Sequence, residues 1–167
     1  MAFVIMIVLV CFKGIARKVP HNYYLLLAFT IFEAITVGYI CARVNNGVVV
    51  VTAAFMTASI VIALTLYAIF TKTDFTACGG SLTVIGWSFF MFGILCLFLG
   101  PTANLVYSII GVVLFGIYLV FDTQLIVGGT RREYSISKED YILGAMILYL
   151  DIINIFVFLL RILGSKK

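Results

Sequence analysis

The sequence predicts an all-α integral membrane protein, a polytopic helix bundle, and three observations carry that prediction. The 167 residues are 64% hydrophobic and only 11% charged, with a mean hydropathy of +1.23; a soluble domain carries about 25% charged residues. The apolar residues fall in long unbroken runs rather than in the alternation a barrel strand requires. Those runs approach 20 residues, the length that crosses a hydrocarbon core of about 30 Å. Two prolines and 14 glycines argue against disorder or a fibrous repeat. The length suits a single bundle of about six spans over residues 1–167, with no soluble domain and no linker.

The first apolar run, 1–12, reaches only about 18 Å at the helical rise. It lacks the leading positive charge and small-residue cleavage site of a signal peptide. It reads as the back half of a spanning helix whose front half is absent from this chain. A basic turn follows over 13–22, with Pro20 suited to a loop or first helical turn because it has no N–H to donate. Further spans are expected at about 23–41, 48–70, 82–99, 104–127 and 141–163. The turn RVNNG separates the second and third, Gly100-Pro101 closes the fourth, and a polar loop over 128–140 precedes the last.

Lysine and arginine counts in short loops set orientation. Lys13, Arg17, Lys18, Lys72, Arg131, Arg132 and Lys138 fall on one side, and Arg43 alone on the other. The seven-charge side is expected to be the cytosol. Strict alternation then sends Arg161, Lys166 and Lys167 outside, whereas a last segment that dips in and returns keeps them with the majority. The charge pattern leans slightly to the re-entrant form, and a continuous helix fits the apolar pattern equally well. Re-entrant backbone needs protein or a water-filled cavity around it, and Asp151 would suit such a lining.

Three carboxylates fall inside spans: Glu33, Asp122 and Asp151. An acid at the bilayer centre is costly, so such residues usually face the bundle interior and mark ion or proton paths. At the helical rise, Asp151 and Glu33 each lie about 15 Å from the cytosolic start of their segments, and Asp122 about 9 Å from the cytosolic end of its own. All three fit one cavity. Gly111, Phe115, Tyr118 and Asp122 share one helical face; Gly144, Ile147 or Leu148, Asp151, Asn154 and Phe158 share another. If Asp122 and Asp151 touch, they resist ionising together and share a proton. A cation is then their alternative partner, and calcium suits oxygen ligands. The pair would gate a cation path according to pH, with Glu33 and Asn154 along it. The plainer alternative is a protonated acid bonded to a neighbouring carbonyl. Arg43 is a weaker candidate as a latch on one of the acids; outward snorkelling is the competing role.

Other chemistry is poorly supported. His21, the only histidine, sits in a basic turn, so no Ser/His pair forms and no enzyme is expected. Cys11, Cys41, Cys78 and Cys96 show no metal-ligand spacing and are expected as small buried apolar residues. No basic stretch interleaves with exposed aromatics, which sets nucleic acid aside. The aromatics are expected to pack, with Tyr23, Tyr24, Tyr134 and Tyr141 at the interface.

The stretches PHNYYLLLAFTIFEAITVG, TKTDFTACGG, FDTQLIVGG and ISKEDYILGAMILYLDIINIF resemble the Bax inhibitor/lifeguard family of transmembrane Bax-inhibitor-motif proteins, with wording nearest the lifeguard branch. The resemblance runs from about Pro20 to the C-terminus. It implies a seven-helix fold, six helices around a central last one, of which this chain lacks the first helix and part of the second. It implies a pH-sensitive calcium leak through endoplasmic reticulum or Golgi membranes and suppression of cell death. It assigns Asp122 and Asp151 as the pH-sensing pair, with transient calcium there, and maps Glu33 onto a family glutamate. The bacterial branch has an arginine latch, and Arg43 lies near that region. No cofactor is implied, and calcium is the permeant ion. The expected partners are the lipid bilayer and apoptosis-regulating membrane proteins. Two rival readings stand beside the channel: a membrane interaction protein that restrains apoptosis without conducting, and a cation/proton exchanger.

Overall fold

A computed structural model describes residues 19–129 and 132–165. The partial first span, with Lys13, Arg17 and Lys18, and Arg131, Lys166 and Lys167 lie outside the described residues. Five long helices are described: α1 (His21–Val44), α2 (Gly47–Phe70), α3 (Gly79–Leu99), α4 (Pro101–Val127) and α5 (Tyr141–Gly164). Each has at least 21 residues, and at 1.5 Å per residue each exceeds the roughly 30 Å hydrocarbon core. All five are apolar enough to cross a membrane. The chain is an all-α, multi-pass integral membrane protein.

The turns explain where the helices stop. In RVNNG, Asn45 takes the left-handed conformation at φ 50° and ends α1, while the Asn46 side chain accepts from Val48 N and Val49 N and starts α2. Asparagine tolerates the first role and is favoured in the second. Gly100, at φ 87°, ends α3, and Pro101 opens α4 at the position where a missing N–H costs nothing. The helices begin or end one to three residues beyond several expected span limits, because these caps lie outside the apolar runs.

Hydroxyl groups within the spans turn back on their own helix. Thr30, Thr36, Thr52, Thr57, Ser59, Thr83, Ser88 and Ser108 each donate to the carbonyl four residues earlier, at 2.7–3.0 Å. In lipid no water is available to those hydroxyls, so self-satisfaction removes their cost. Large apolar side chains such as Phe55, Phe70, Leu97 and Phe98 point outward, as a lipid-facing surface requires.

α5 is the central helix among those described. Ile142 and Met146 pack with Phe29 of α1; Ile155, Leu159 and Leu160 pack with Ala53 of α2 and Leu119 of α4; Phe158 packs with Phe89 of α3 and Leu114 of α4. Lipid tails are as apolar as leucine, so close van der Waals packing rather than water exclusion holds such helices together. Gly111 shows the principle. A Cβ there would lie 2.7 Å from the Phe158 ring, so only glycine lets α4 and α5 approach with that ring between them.

The re-entrant form of the last segment is corrected. α5 is a continuous helix of 24 residues. It starts beside α1, where Asn22 Nδ2 donates to Tyr141 Oη. It ends beside the other end of α1, where a Cβ on Gly164 would meet Val44 at 3.6 Å. The segment therefore crosses. An unbroken helix satisfies its backbone groups internally everywhere but its end turns, and that outweighs the charge count that favoured a return. Among the described residues, the start of α1, the α2–α3 loop and the α4–α5 loop share one side. Tyr23, Tyr24, Tyr134 and Tyr141 are all exposed, and Tyr23 and Tyr141 join through their hydroxyls at 3.2 Å. The described cysteines divide: Cys96 is buried, Cys41 half-buried, and Cys78 exposed in a 3-10 turn, contrary to the expectation of burial; Cys11 lies outside the described residues.

Candidate functional site

Asp122 sits near the end of α4, and Asp151 in the middle of α5. The tight α4–α5 packing brings their carboxyls against each other within hydrogen-bonding reach. Both are buried, at 7% and 5% exposure. Asp151 Oδ2 faces no hydrogen-bond donor among the described residues. Two ionised acids cannot donate to one another. A proton held between them would remove one of two like charges from a poorly hydrated place.

A cavity of about 570 Å³ opens beside Asp151. α1 contributes Phe29 and Glu33; α3 contributes Gly86, Phe89 and Phe90; α4 contributes Tyr107, Leu114, Phe115 and Tyr118. α5 contributes Ile147, Leu150, Asp151, Asn154 and Phe158. Asn22 bonds Tyr141, which levels the starts of α1 and α5. Glu33 then lies about 16 Å along α1 from that level and Asp151 about 15 Å along α5, so the two acids sit at similar depth. Asn154 lies one turn further, its Nδ2 donating to Leu150 O at 2.8 Å. Tyr118 donates to Leu82 O at 2.6 Å, and its hydroxyl lies where a Cβ on Gly86 would stand. Beyond the acids the wall is aromatic: Phe89 stacks on Tyr107 with centroids 4.2 Å apart, and Phe158 meets Phe89, Tyr107 and Phe115 at 5.5–5.8 Å.

The structure thus joins Asp122 with Asp151, and joins Asp151 with Glu33 and Asn154 around one cavity, whose lining does not include Asp122, against the expectation that all three acids fit one cavity. Arg43 is placed elsewhere. Its Nε donates to Tyr39 Oη at 2.9 Å, with the guanidinium 5.3 Å from that ring's centroid. Among the described residues Arg43 forms no ion pair with an acid and does not line the cavity. The latch expectation gives way to an exposed contact within α1, since Arg43 lies at the end of α1 far from the level of the acids.

The sequence did not single out a second polar cluster beside Asp122. Gln124 Nε2 donates to Ala68 O and Thr73 O, and Gln124 Oε1 accepts from Phe75 N at 2.8 Å. Arg132 donates to Thr73 O, Ala68 O and Thr71 O at 2.6–3.1 Å. These carbonyls belong to the end of α2 and the turn after it, where helix acceptors lack partners and a cation is favoured. Asp74 accepts from Thr76 Oγ1 and N and from Glu133 N. The Thr76 hydroxyl bond is the main cause holding Asp74 below the usual carboxylate range, with the Glu133 N–H and Arg132 adding to it. The clasp ties the α2–α3 loop to the α4–α5 loop and fixes the end of α4 that carries Asp122. A buried glutamine at the end of an apolar run was its only sequence signal.

Comparison with known proteins adds relatives. The family described as inhibitor of apoptosis-promoting Bax1 matches residues 1–167. Protein lifeguard 3 of Mus musculus is 35% identical over 163 residues, covering 95% of this chain and 52% of the relative. Protein lifeguard 3 of Homo sapiens is 34% identical over 166 residues, covering 96% and 52%. A Golgi anti-apoptotic protein of Vaccinia virus (strain Lister) is 36% identical over 154 residues, covering 90% and 62%. The chain spans about half the length of the curated lifeguard relatives it matches.

Proposed function

Because the chain belongs to the family of inhibitors of apoptosis-promoting Bax1, we propose that it works as a pH-regulated calcium leak channel of intracellular membranes and suppresses cell death there. The single observation that carries this reading is the contact between the buried Asp122 and Asp151 carboxyls at the edge of a cavity that also holds Glu33. With one shared proton the two carboxyls stay in contact. Loss of that proton places two negative charges side by side, and the pair either separates or takes a cation. Calcium, bound by oxygen ligands, meets Asp122 and Asp151 in transit, and Glu33 offers the next carboxylate. The Golgi or endoplasmic reticulum membrane is the proposed location, the first in line with the name of the viral relative.

Calcium flux into liposomes carrying the purified protein, followed between about pH 6 and pH 8, tests the reading. Passive flux that changes with pH is expected, with the pH dependence lost in Asp122→Asn and Asp151→Asn. Unchanged pH dependence in Asp122→Asn overturns the pair as sensor. Flux that needs an opposing proton gradient assigns an exchanger instead. Cell survival that persists in both variants assigns a membrane interaction protein.

A further inference from the structure

The cavity beside Asp151 has a chemistry that a calcium path does not require. Apart from its acids it is walled largely by aromatic faces, and among the described residues its lining holds no lysine, arginine or histidine. Its volume of about 570 Å³ lies within the range of small-molecule sites, roughly 300–1,000 Å³. It is also polarised along its length. Glu33 and Asp151 lie at one level, and Phe158 lies two turns beyond Asp151, about 10 Å further along α5. Arg161 stands behind that aromatic end, its guanidinium 5.7 Å from the Phe158 centroid. A cation entering the cavity is therefore repelled from the far end and drawn to the acids.

We propose that this cavity is a binding site for a lipophilic organic ammonium, its cationic head between Glu33 and Asp151 and its apolar body against Phe115, Tyr118 and Phe158. An ammonium head brings a positive charge to two carboxylates beside which the described lining holds no basic side chain. Aromatic faces attract the same charge through their quadrupoles, more strongly where water is excluded. Anionic lipids and fatty acids meet the like charge of Glu33 and Asp151 at the acid end. Calcium, strongly hydrated and hard, gains nothing from the aromatic wall. The inference shares Asp151 with the calcium reading but does not depend on conduction.

The test uses the full chain in lipid nanodiscs, with benzyltrimethylammonium followed by saturation-transfer NMR against empty nanodiscs. Saturable binding is expected, with the neutral isostere neopentylbenzene bound at least about tenfold more weakly, because it carries no charge for the acids and aromatic faces to attract; tenfold corresponds to about 1.4 kcal/mol. Glu33→Gln and Asp151→Asn should each weaken the ammonium by a similar factor, and Phe115→Leu by less. Equal affinity for the charged and neutral probes overturns the proposal and leaves an apolar cavity only. Absence of saturable ammonium binding overturns it as well. The comparison of probes on the unaltered chain needs no variant to fold. Ammonium binding without calcium flux would refute the channel alone; flux without ammonium binding would refute this site alone.

Discussion

Two polar regions lie within one helical turn of each other on α4, and they are built in opposite ways. At Gln124 both side-chain polar atoms are engaged, and the neighbouring Arg132 spreads its guanidinium over three carbonyls. At Asp122 the partner is another acid, and that acid leaves an oxygen without a donor. A satisfied buried network rigidifies; an unsatisfied buried group costs stability. The first region therefore reads as structure and the second as a place where stability is given up for a change of state.

Breaking the clasp gives the largest expected effect on stability. Arg132→Ala removes a charged donor from three carbonyls, and bonds to charged groups contribute about 1.5–3 kcal/mol. A loss of about 2–3 kcal/mol is expected, read as a lower unfolding midpoint on heating in detergent micelles. Arg132→Lys should recover less than half of it, because an ammonium lacks the planar fork. An unshifted midpoint in Arg132→Ala would erase the contrast between the regions.

The acid pair should respond in the opposite direction. Asp151→Asn replaces a poorly partnered acid with a neutral amide that can donate to Asp122. The variant should be as stable as the parent or more stable by up to about 1 kcal/mol in the same assay. A loss beyond about 2 kcal/mol would mean that the acid holds the fold together.

The smallest effect separates the regions by pH. Asp74 is held below the usual carboxylate range by its bond to Thr76. Its folded value is depressed, so its contribution is fully present above the unfolded aspartate value of about 3.9 and is lost as pH falls through the folded value. Thermal midpoints should therefore decline on acidification below about pH 4, and Asp74→Asn should flatten that decline. Acid sensitivity unchanged in Asp74→Asn would place its origin elsewhere.

The acids were legible in the sequence because a carboxylate within an apolar run is conspicuous, and helical periodicity put Asp151, Asn154 and Phe158 on one face. The clasp was not legible. Gln124 and Arg132 bond to backbone carbonyls some 50 to 64 positions away, and a carbonyl acceptor has no residue signature. Arg43 is exposed, in line with the snorkelling role weighed against the latch, but its contact with Tyr39, one turn away on the same helix, was not foreseen. The last segment misled because loop charges weigh orientation without seeing the backbone.

Sequence alone determined that this chain lies in a bilayer, which stretches cross it and which acids must be hidden there, because lipid solvates neither charge nor free backbone. Only the tertiary structure decided that α5 crosses at the centre, that Gly111 lets α4 close on it, and that two of those acids meet. Such meetings depend on how helices approach one another in space, which the order of residues along any single helix does not specify.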